Sequence, residues 1–261
     1  MSNKRTINII LFIFSFSGIG SSQKLEVEGG AKVTGLTQDN SIERVVVVMD
    51  DGTLAYRDVH TINYPVNALV DGDNNRYTAI QIGSQVWMKQ NLKTTSFNDG
   101  TPISEGFENQ SWTNLDTPGF SWYDNDPTEI VLYNHYVTIE PNLNVCPIGW
   151  HVPTDAEWTV LVNYLGGFDV AGGKLKEAGF DNWMSPNASG TNSTGFTGLP
   201  DGYRTFLGDF LSEGELAAWW SSNVANDGIN AFYRRANFDN DNLERSAENK
   251  ESGFSIRCIK N

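Results

Sequence analysis

Two short stretches of this chain place aromatic side chains beside arginine, a pairing that is enriched at binding hot spots. They are DGYR, which ends in Tyr203 and Arg204, and FYRR, which contains Tyr233, Arg234 and Arg235. Aromatic rings offer rigid contact area and guanidinium groups donate forked hydrogen bonds, so the pattern suits recognition of a carbohydrate or a peptide. The same side chains also suit a packed core, in which the aspartate and arginine of DGYR form a salt bridge.

Trp219 and Trp220 are adjacent in a segment that has the composition of a strand. Successive side chains of a strand face opposite sides of the sheet, so one tryptophan belongs to the core. The other either packs beneath a loop or forms an exposed platform for the face of a sugar. We expect ligand contacts between residues 182 and 242, with Arg204 and the exposed tryptophan as leading candidates. The predicted ligand-binding residues are Tyr203, Arg204, Trp219, Trp220, Tyr233 and Arg234.

No catalytic residue can be singled out from residue types and spacing. The three histidines, His60, His135 and His151, are too dispersed to form a zinc motif, and His151 is expected to have a structural role. Carboxylates are numerous enough to include a glycosidase pair, but no spacing selects two of them. An enzyme that acts on polysaccharide or protein stays an alternative. Its sign would be two carboxylates, or a carboxylate and a histidine, in one cleft with shifted acidity.

Three acidic clusters place carboxylates at alternate positions, a spacing that suits calcium. None completes an EF-hand loop: in the first cluster Arg76 stands where glycine is needed and Ile82 where glutamate is needed. We therefore expect solvated turns. Calcium remains the one cofactor that the sequence suggests, and no other metal is indicated. The clusters are Asp71 with Asp73, Asp124 with Asp126, and Asp239 with Asp241.

The clearest element that positions these residues is a helix after Thr154. Thr154 and Glu157 have capping-box spacing, the apolar residues recur with helical period, and Gly166 and Gly167 supply a stop. A second short helix is expected over residues 170–178. Before them we expect strands at 77–82 and 85–88 and then an irregular stretch to Pro141. After them, segments within 196–210, 216–223, 230–238 and 253–260 are expected to be strands.

The first 22 residues have the parts of a secretory signal peptide: Lys4 and Arg5, an apolar run up to Phe16, and small residues to Ser22. The run is too short to span a bilayer comfortably, so we expect export to the cell surface or surroundings without membrane insertion. The formal net charge of −14 repels nucleic-acid phosphates and anionic membranes. We therefore expect no nucleic-acid partner.

Residues 23–67 have a different texture, with short apolar alternations and turn residues such as Gly29, Gly30, Asp51 and Gly52. This favours strands and hairpins. The fully apolar run at 45–48 is more than a lone hairpin can bury, so the segment is expected to pack on the following domain or to form a homo-oligomer with copies of itself. A structural component of a cell-surface fibre or assembly is a further alternative.

A family resemblance is carried by six segments that occur in a fixed order. They are DGDNNRYTAIQIGSQVWMKQNLKTTSFNDGTPI, CPIGWHVPTDAEWTVLVNYLGG, GGKLKEAG, FTGLPDGYRTFLGDF, AAWWSSN and SGFSIRCIK. Together they are similar to the Fibrobacter succinogenes major paralogous (FISUMP) domain of exported Bacteroidetes and Fibrobacteres proteins, over residues 68–261. That family has no well-established biochemical activity, so the resemblance implies a fold and a compartment and leaves the reaction open.

The same layout is similar to the C-type-lectin-like fold that formylglycine-generating and sulfatase-modifying domains share. It implies an α+β domain with two helices packed on a small, loop-rich antiparallel sheet, preceded here by the short β-rich segment. It also implies a disulfide between Cys146 and Cys258, which agrees with one pair of cysteines in an oxidising compartment. We therefore predict an exported, noncatalytic surface or secreted protein that binds a glycan or another protein through its loop-rich face.

Overall fold

The computed structural model describes residues 44–48, 54–58, 69–106, 108–113 and 115–261. The signal peptide expected at 1–22 and the turns expected at Gly29, Gly30, Asp51 and Gly52 lie outside these ranges. The chain divides into two compact units, residues 1–67 and 68–261.

In the first unit, two strands form an antiparallel sheet. β1 (Arg44–Val48) pairs with β2 (Leu54–Asp58), with Val48 opposite Leu54. The valine run of β1 is β-branched throughout, which favours an extended backbone. Packing or self-association of this segment stays a prediction.

The second unit is α+β, with short strands and four short helices among its described residues. Its strands are β3 (Leu69–Val70), β4 (Arg76–Tyr77), β5 (Ala79–Ile82), β6 (Gln85–Met88), β7 (Ser104–Glu105), β8 (Gly119–Trp122), β9 (Val131–Tyr133), β10 (Trp150–His151), β11 (Asp201–Arg204), β12 (Phe210–Glu213), β13 (Leu216–Val224), β14 (Asn230–Asn237), β15 (Glu244–Asn249) and β16 (Ile259–Lys260). Its helices are α1 (Asn109–Thr113), α2 (Tyr136–Ile139), α3 (Asp155–Tyr164) and α4 (Phe168–Leu175). None of the described helices is long and apolar enough to cross a membrane.

The described sheets are small and almost all antiparallel. The longest strands form the sheet β13-β14-β15, and a second sheet has the order β10-β16-β6-β5. β11 pairs with β12, β3 with β4, and β9 with β8 in antiparallel fashion, whereas β7 pairs with β8 in parallel. Strand β16, near the chain end, therefore lies between the residues that precede α3 and those of β6.

The predicted first helix is confirmed as α3, which begins after the N-cap residue Thr154. The Thr154 hydroxyl accepts a hydrogen bond from the Glu157 N–H, and Glu157 Oε2 accepts one from the Thr154 N–H at 2.8 Å. Trp158, Leu161 and Val162 are buried, as the helical period predicts. Local signals were sufficient here because both the cap and the apolar face are complete within twelve residues of sequence.

Replacing Thr154 with alanine removes the capping hydroxyl and is expected to lower the free energy of unfolding by about 1 kcal/mol. Thr154→Ser is the matched control, because it keeps the hydroxyl and should stay within a few tenths of the wild-type value. Urea unfolding of the two variants measures the difference. Equal losses in both would show that the cap contributes little to stability.

The predicted second helix exists as α4 but starts and ends earlier than expected. It runs from Phe168 to Leu175 instead of over residues 170–178, and the chain leaves the helix at Lys176. Two glycines in α4 are explained by close packing: a Cβ at Gly172 would lie 2.1 Å from the Asn242 carbonyl oxygen. The helix thus presses directly on the backbone that follows β14, which a sequence pattern does not reveal.

The expected irregular stretch up to Pro141 is corrected. It contains β7, α1, β8, β9 and α2, each between two and five residues long. Elements this short lack room for a detectable period, and their partners are distant in sequence: Tyr133 of β9, for example, pairs with Phe254. For the same reason the sequence predicted two helices where the described residues contain four, since α1 and α2 are single turns.

The strands expected near the end of the chain are partly confirmed. β11 and β14 fall within the expected segments and β13 extends one residue beyond its segment, to Val224, but the last segment forms only β16 and isolated bridges at Gly253, Phe254 and Ser255. The polar strand β15 was not expected. Its alternating half-buried and exposed residues mark the outer strand of the β13-β14-β15 sheet.

Two apolar clusters form the core of the second unit, and β13 contributes to both. Trp220 packs in the cluster that contains the cysteines and Phe254, whereas Trp219 packs in the cluster that contains α3 and Phe196. This is the strand alternation predicted for adjacent tryptophans. β13 therefore has a core on each face.

Candidate functional site

The disulfide predicted between Cys146 and Cys258 is present. The two Cα atoms lie 6.0 Å apart and both residues are fully buried. The Cys258 carbonyl accepts a hydrogen bond from Met88 N, and the Cys146 carbonyl accepts one from the Asn98 side chain. The bridge thus joins the segment before α3 to the end of the chain. It has no role in binding chemistry, because neither sulfur is accessible.

Both adjacent tryptophans are completely buried, so the exposed platform, one of the two alternatives for the second tryptophan, is wrong. The Trp219 indole N–H donates to Asn91 Oδ1 at 2.9 Å, and the Trp220 N–H donates to the Tyr133 carbonyl at 2.8 Å. Phe254 lies 4.5 Å from Trp220, ring centroid to centroid. The cause is the second core: each face of β13 is covered, which leaves no solvent side for a platform.

Arg204 is a buried structural residue in this conformation. Its guanidinium donates to the Gly208 carbonyl at 3.0 Å and to Asn109 Oδ1 at 3.1 Å. It also lies 4.8 Å from the Trp112 ring centroid. Burial lowers its pKa to about 10. The arginine therefore ties the β11–β12 hairpin to α1, and the salt bridge considered between it and Asp201 is replaced by these contacts.

Arg234 and Tyr233 are also buried. Arg234 pairs with Asp155 at 2.8 Å and donates to the Thr159 hydroxyl, so it joins β14 to the first turn of α3. Arg245 pairs with the same carboxylate at 2.9 Å. The Tyr233 ring stacks on Phe254 at 4.5 Å. Ligand contact by either residue would require displacement of these partners, and their binding role stays a prediction.

Tyr203 is the predicted site residue that remains partly accessible, and it lines an open groove of about 330 Å³. We call this the Tyr203 groove. Its ring also contacts Phe254, at 5.5 Å between centroids. Burial raises the pKa of its hydroxyl, so the group is a neutral donor and acceptor at physiological pH. The groove is lined by Tyr203, Ser212, Glu215, Leu216, Arg235, Asn237, Phe238, Asp239 and Asn240.

One side chain and two backbone carbonyls of the Tyr203 groove are held by contacts outside it. Arg235 Nε pairs with Glu244 Oε2 at 2.5 Å. The buried ammonium of Lys176 donates to the carbonyls of Asn237 and Asn240, at 2.8 and 2.9 Å. Burial lowers the pKa of Lys176 to about 8, although Asp241 and Asp239 act against it. Lys176 thus fixes the backbone from the end of β14 to residue 240, which forms one side of the groove.

A second opening, a cleft of about 480 Å³, lies over a buried polar network. Asn91 donates to Asp201 Oδ2 and accepts hydrogen bonds from Arg257 and Trp219. Ser255 donates to Asp201 at 2.9 Å. Burial raises the pKa of Asp201 and lowers that of Arg257 to about 9. Sequence inspection missed this network; its one signal is an arginine inside the apolar segment SIRCI.

The acidic clusters accept hydrogen bonds from local turns and, at Asp73 and Asp241, from distant segments. Asp71 accepts hydrogen bonds from the N–H groups of Asp73 and Asn75, and Asp126 accepts them from the N–H and hydroxyl of Thr128. Asp241 accepts one from the Ser189 hydroxyl. Within the described residues, no three acidic, histidine or cysteine side chains form a group that could hold a metal ion. Asp71 is buried and also accepts a hydrogen bond from the Tyr77 hydroxyl, so the solvated turn expected there is corrected, and calcium binding stays a prediction.

The two described histidines differ in burial and in their contacts. His151 lies beside α3, where its ring contacts Glu157 at 2.9 Å and Asn261 at 2.6 Å. His135 is fully buried against Trp220, with Nε2 2.9 Å from the Ser221 carbonyl. The structural role expected for His151 agrees with its contacts. His60 lies outside the described residues.

Comparison with known proteins places most of the second unit in one family. The family model of the Fibrobacter succinogenes major domain matches residues 80–260. No curated protein and no solved structure matches the chain. The matched range includes α3, both cysteines and the whole β13-β14-β15 sheet. The chain therefore belongs to the Fibrobacter succinogenes major domain family.

Proposed function

We propose that this protein is an exported, noncatalytic binding protein that recognises a glycan through the Tyr203 groove. The observation that carries this is the groove's composition: one half-accessible aromatic ring beside amide, carboxylate and guanidinium groups on a fixed backbone. A ring offers a flat surface to the C–H face of a sugar, and the polar groups match its hydroxyls. The groove also falls within residues 182–242, where the sequence indicated ligand contacts.

Export is part of this proposal, and the disulfide supports it. Disulfides persist in oxidising compartments and are rare in reducing ones. The N-terminal residues have the pattern of a signal peptide. We propose further that the domain has a C-type-lectin-like fold, supported by the bridge between the segment before α3 and the end of the chain. Such a fold presents a loop-rich face for binding.

A noncatalytic role fits the chemistry of the two openings. Asp201 is a carboxyl with a raised pKa at the 480 Å³ cleft, but Asn91 and Ser255 already occupy it. Both described histidines are engaged elsewhere. The enzyme alternative would gain support from turnover of any polysaccharide or protein that the full chain binds.

A glycan screen with the full chain, followed by calorimetry on a hit, tests the proposal. Tyr203→Ala is expected to weaken affinity by about 1 to 3 kcal/mol, because it removes the ring that the sugar would contact. Tyr203→Phe keeps the ring and should retain most of the affinity. Tyr164→Ala is the control, since Tyr164 is 65% exposed and lies outside the groove.

Because Tyr203 contacts Phe254, each variant also needs a near-UV circular dichroism spectrum to show that the core is intact. Full affinity in a folded Tyr203→Ala protein would place the site elsewhere. A screen with no glycan hit would leave the glycan assignment without support and favour a protein ligand.

A further inference from the structure

The 480 Å³ cleft over the Asn91 network has a lining unlike that of the Tyr203 groove. We call it the lysine cleft, because Lys89 and Lys93 both line it. Neither lysine forms an ion pair within the described part of the chain. Lys89 is half-buried and Lys93 is exposed. Two ammonium groups that have no ion-pair partner among the described residues thus lie at one cleft, in a chain whose net charge is −14.

The charges beneath the cleft do not neutralise these lysines. Arg257 and Asp201 are one cation and one anion, both buried and linked through Asn91. The guanidinium already donates to Asn91 and to the Phe196 carbonyl. Glu129 is the one further acid in the lining. The lining thus contains three cations and two acids, and the two lysines that have no ion-pair partner among the described residues suit an anionic group.

The uncharged lining favours a ligand that brings hydroxyl donors. The Thr128 hydroxyl donates to Asp126, so its lone pairs remain as acceptors. The Thr197 hydroxyl accepts a hydrogen bond from Asn192 and keeps a second lone pair. Ile130 and Leu199 provide apolar contact between these groups. Acceptors, short apolar patches and ammonium groups together match a sugar that carries a carboxylate.

A peptide ligand fits less well, because an extended peptide gains affinity by pairing with a free strand edge. Two strands that supply lining residues are already paired: β9 pairs with β8 and its Tyr133 also exchanges backbone hydrogen bonds with Phe254, and β11 pairs with β12. The volume lies within the range of small-ligand sites, about 300 to 1,000 Å³.

We propose that the lysine cleft binds a carboxylate-bearing saccharide, such as a uronic acid residue of an acidic polysaccharide, with Lys89 and Lys93 facing the carboxylate. This site is separate from the Tyr203 groove, although β11 supplies one lining residue to each, Asp201 and Tyr203. Either site can therefore exist without the other.

The test is calorimetry of the full chain with oligogalacturonate and with its methyl ester, which has the same sugar ring but no charge. We expect binding of the acid and little binding of the ester. Lys89→Gln/Lys93→Gln should bind the acid about tenfold more weakly, because two charge pairs at an open cleft are lost. In about 1 M salt, where the Debye length is about 3 Å, wild-type affinity should approach that of the double variant.

Lys260→Gln is the matched control, because Lys260 is exposed and does not line the cleft. It should bind like wild type. Equal binding of acid and ester would overturn the charge argument, and an unchanged affinity in the double variant would overturn the assignment to the cleft. Competition by a polyglutamate peptide at equal affinity would overturn the saccharide class, and no binding would overturn the site.

Discussion

Replacing Cys146 and Cys258 together with alanine is expected to lower the free energy of unfolding by about 4 to 5 kcal/mol. The bridge spans a separation of 112 residues, so it removes a large loop-closure entropy from the unfolded chain. A domain of this kind has about 5 to 15 kcal/mol of stability in total, so the loss would be a third of it or more. Urea unfolding of the full chain measures the difference.

The double alanine variant is preferable to Cys258→Ser, because both sulfurs are fully buried and a serine hydroxyl would add an unpaired polar group there. The matched control is wild-type protein unfolded with reductant, which should fall to the stability of the variant. Mass spectrometry of non-reduced peptides should show Cys146 joined to Cys258. A double variant within about 1 kcal/mol of oxidised wild type would contradict the unfolded-state account.

The parts of the fold that sequence reasoning predicted are those with complete local signals. The capping box and apolar face of α3 lie within one short segment. The aromatic and small apolar residues of β13 likewise indicate a buried strand without reference to distant residues. The disulfide followed from a family layout and from having two cysteines. For α3 and β13 the signal was present in adjacent residues, and for the disulfide two cysteines allow only one pairing.

The candidate site was harder to predict because burial is decided by partners far along the chain. Arg204 looks like a binding residue by type, yet its hydrogen-bond partners, Gly106 and Asn109, lie about a hundred residues away. Trp219 is buried by the Phe196 ring and by α3. Residue type alone does not distinguish a hot spot from a core contact, since both use aromatic rings and arginine.

The openings themselves were also outside the reach of sequence patterns. The lysine cleft joins residues 89–93, 128–131 and 197–201 with Arg257, so no single segment contains its chemistry. The Tyr203 groove depends on Lys176, whose ammonium fixes two carbonyls some sixty residues ahead of it. The sequence predicts that Lys176 lies inside a helix, but α4 ends at Leu175 and Lys176 follows it.

Acid should destabilise this domain well above the pH at which carboxylates protonate, because of His135. Burial lowers the pKa of His135 to about 4 from an ordinary value of 6.5; the hydrogen bond to the Ser221 carbonyl opposes this and the charge of Lys250 adds to it. The structural reason is that Nδ1 has no hydrogen-bond partner among the described residues, so a proton there would be buried without an acceptor.

The sign follows from proton binding in the two states. Between pH 6.5 and about 4 the unfolded chain binds a proton at this histidine and the folded domain does not. Stability is therefore full above pH 6.5 and falls as the pH decreases toward 4, by about 3 kcal/mol in total. Asp201 acts in the opposite direction, because its raised pKa favours the folded state as acid protonates it.

His135→Gln separates this contribution from the others, since an amide can still donate to the Ser221 carbonyl but does not titrate in this range. Urea unfolding across the pH series should show that wild type loses about 3 kcal/mol more than the variant as the pH falls toward 4. Asp73, Asp126 and Asp227, whose pKa values are lowered, lose their contributions only at lower pH. Equal slopes in wild type and His135→Gln would show that His135 is protonated in the folded domain with a partner or water at Nδ1, and that its burial does not govern the acid response.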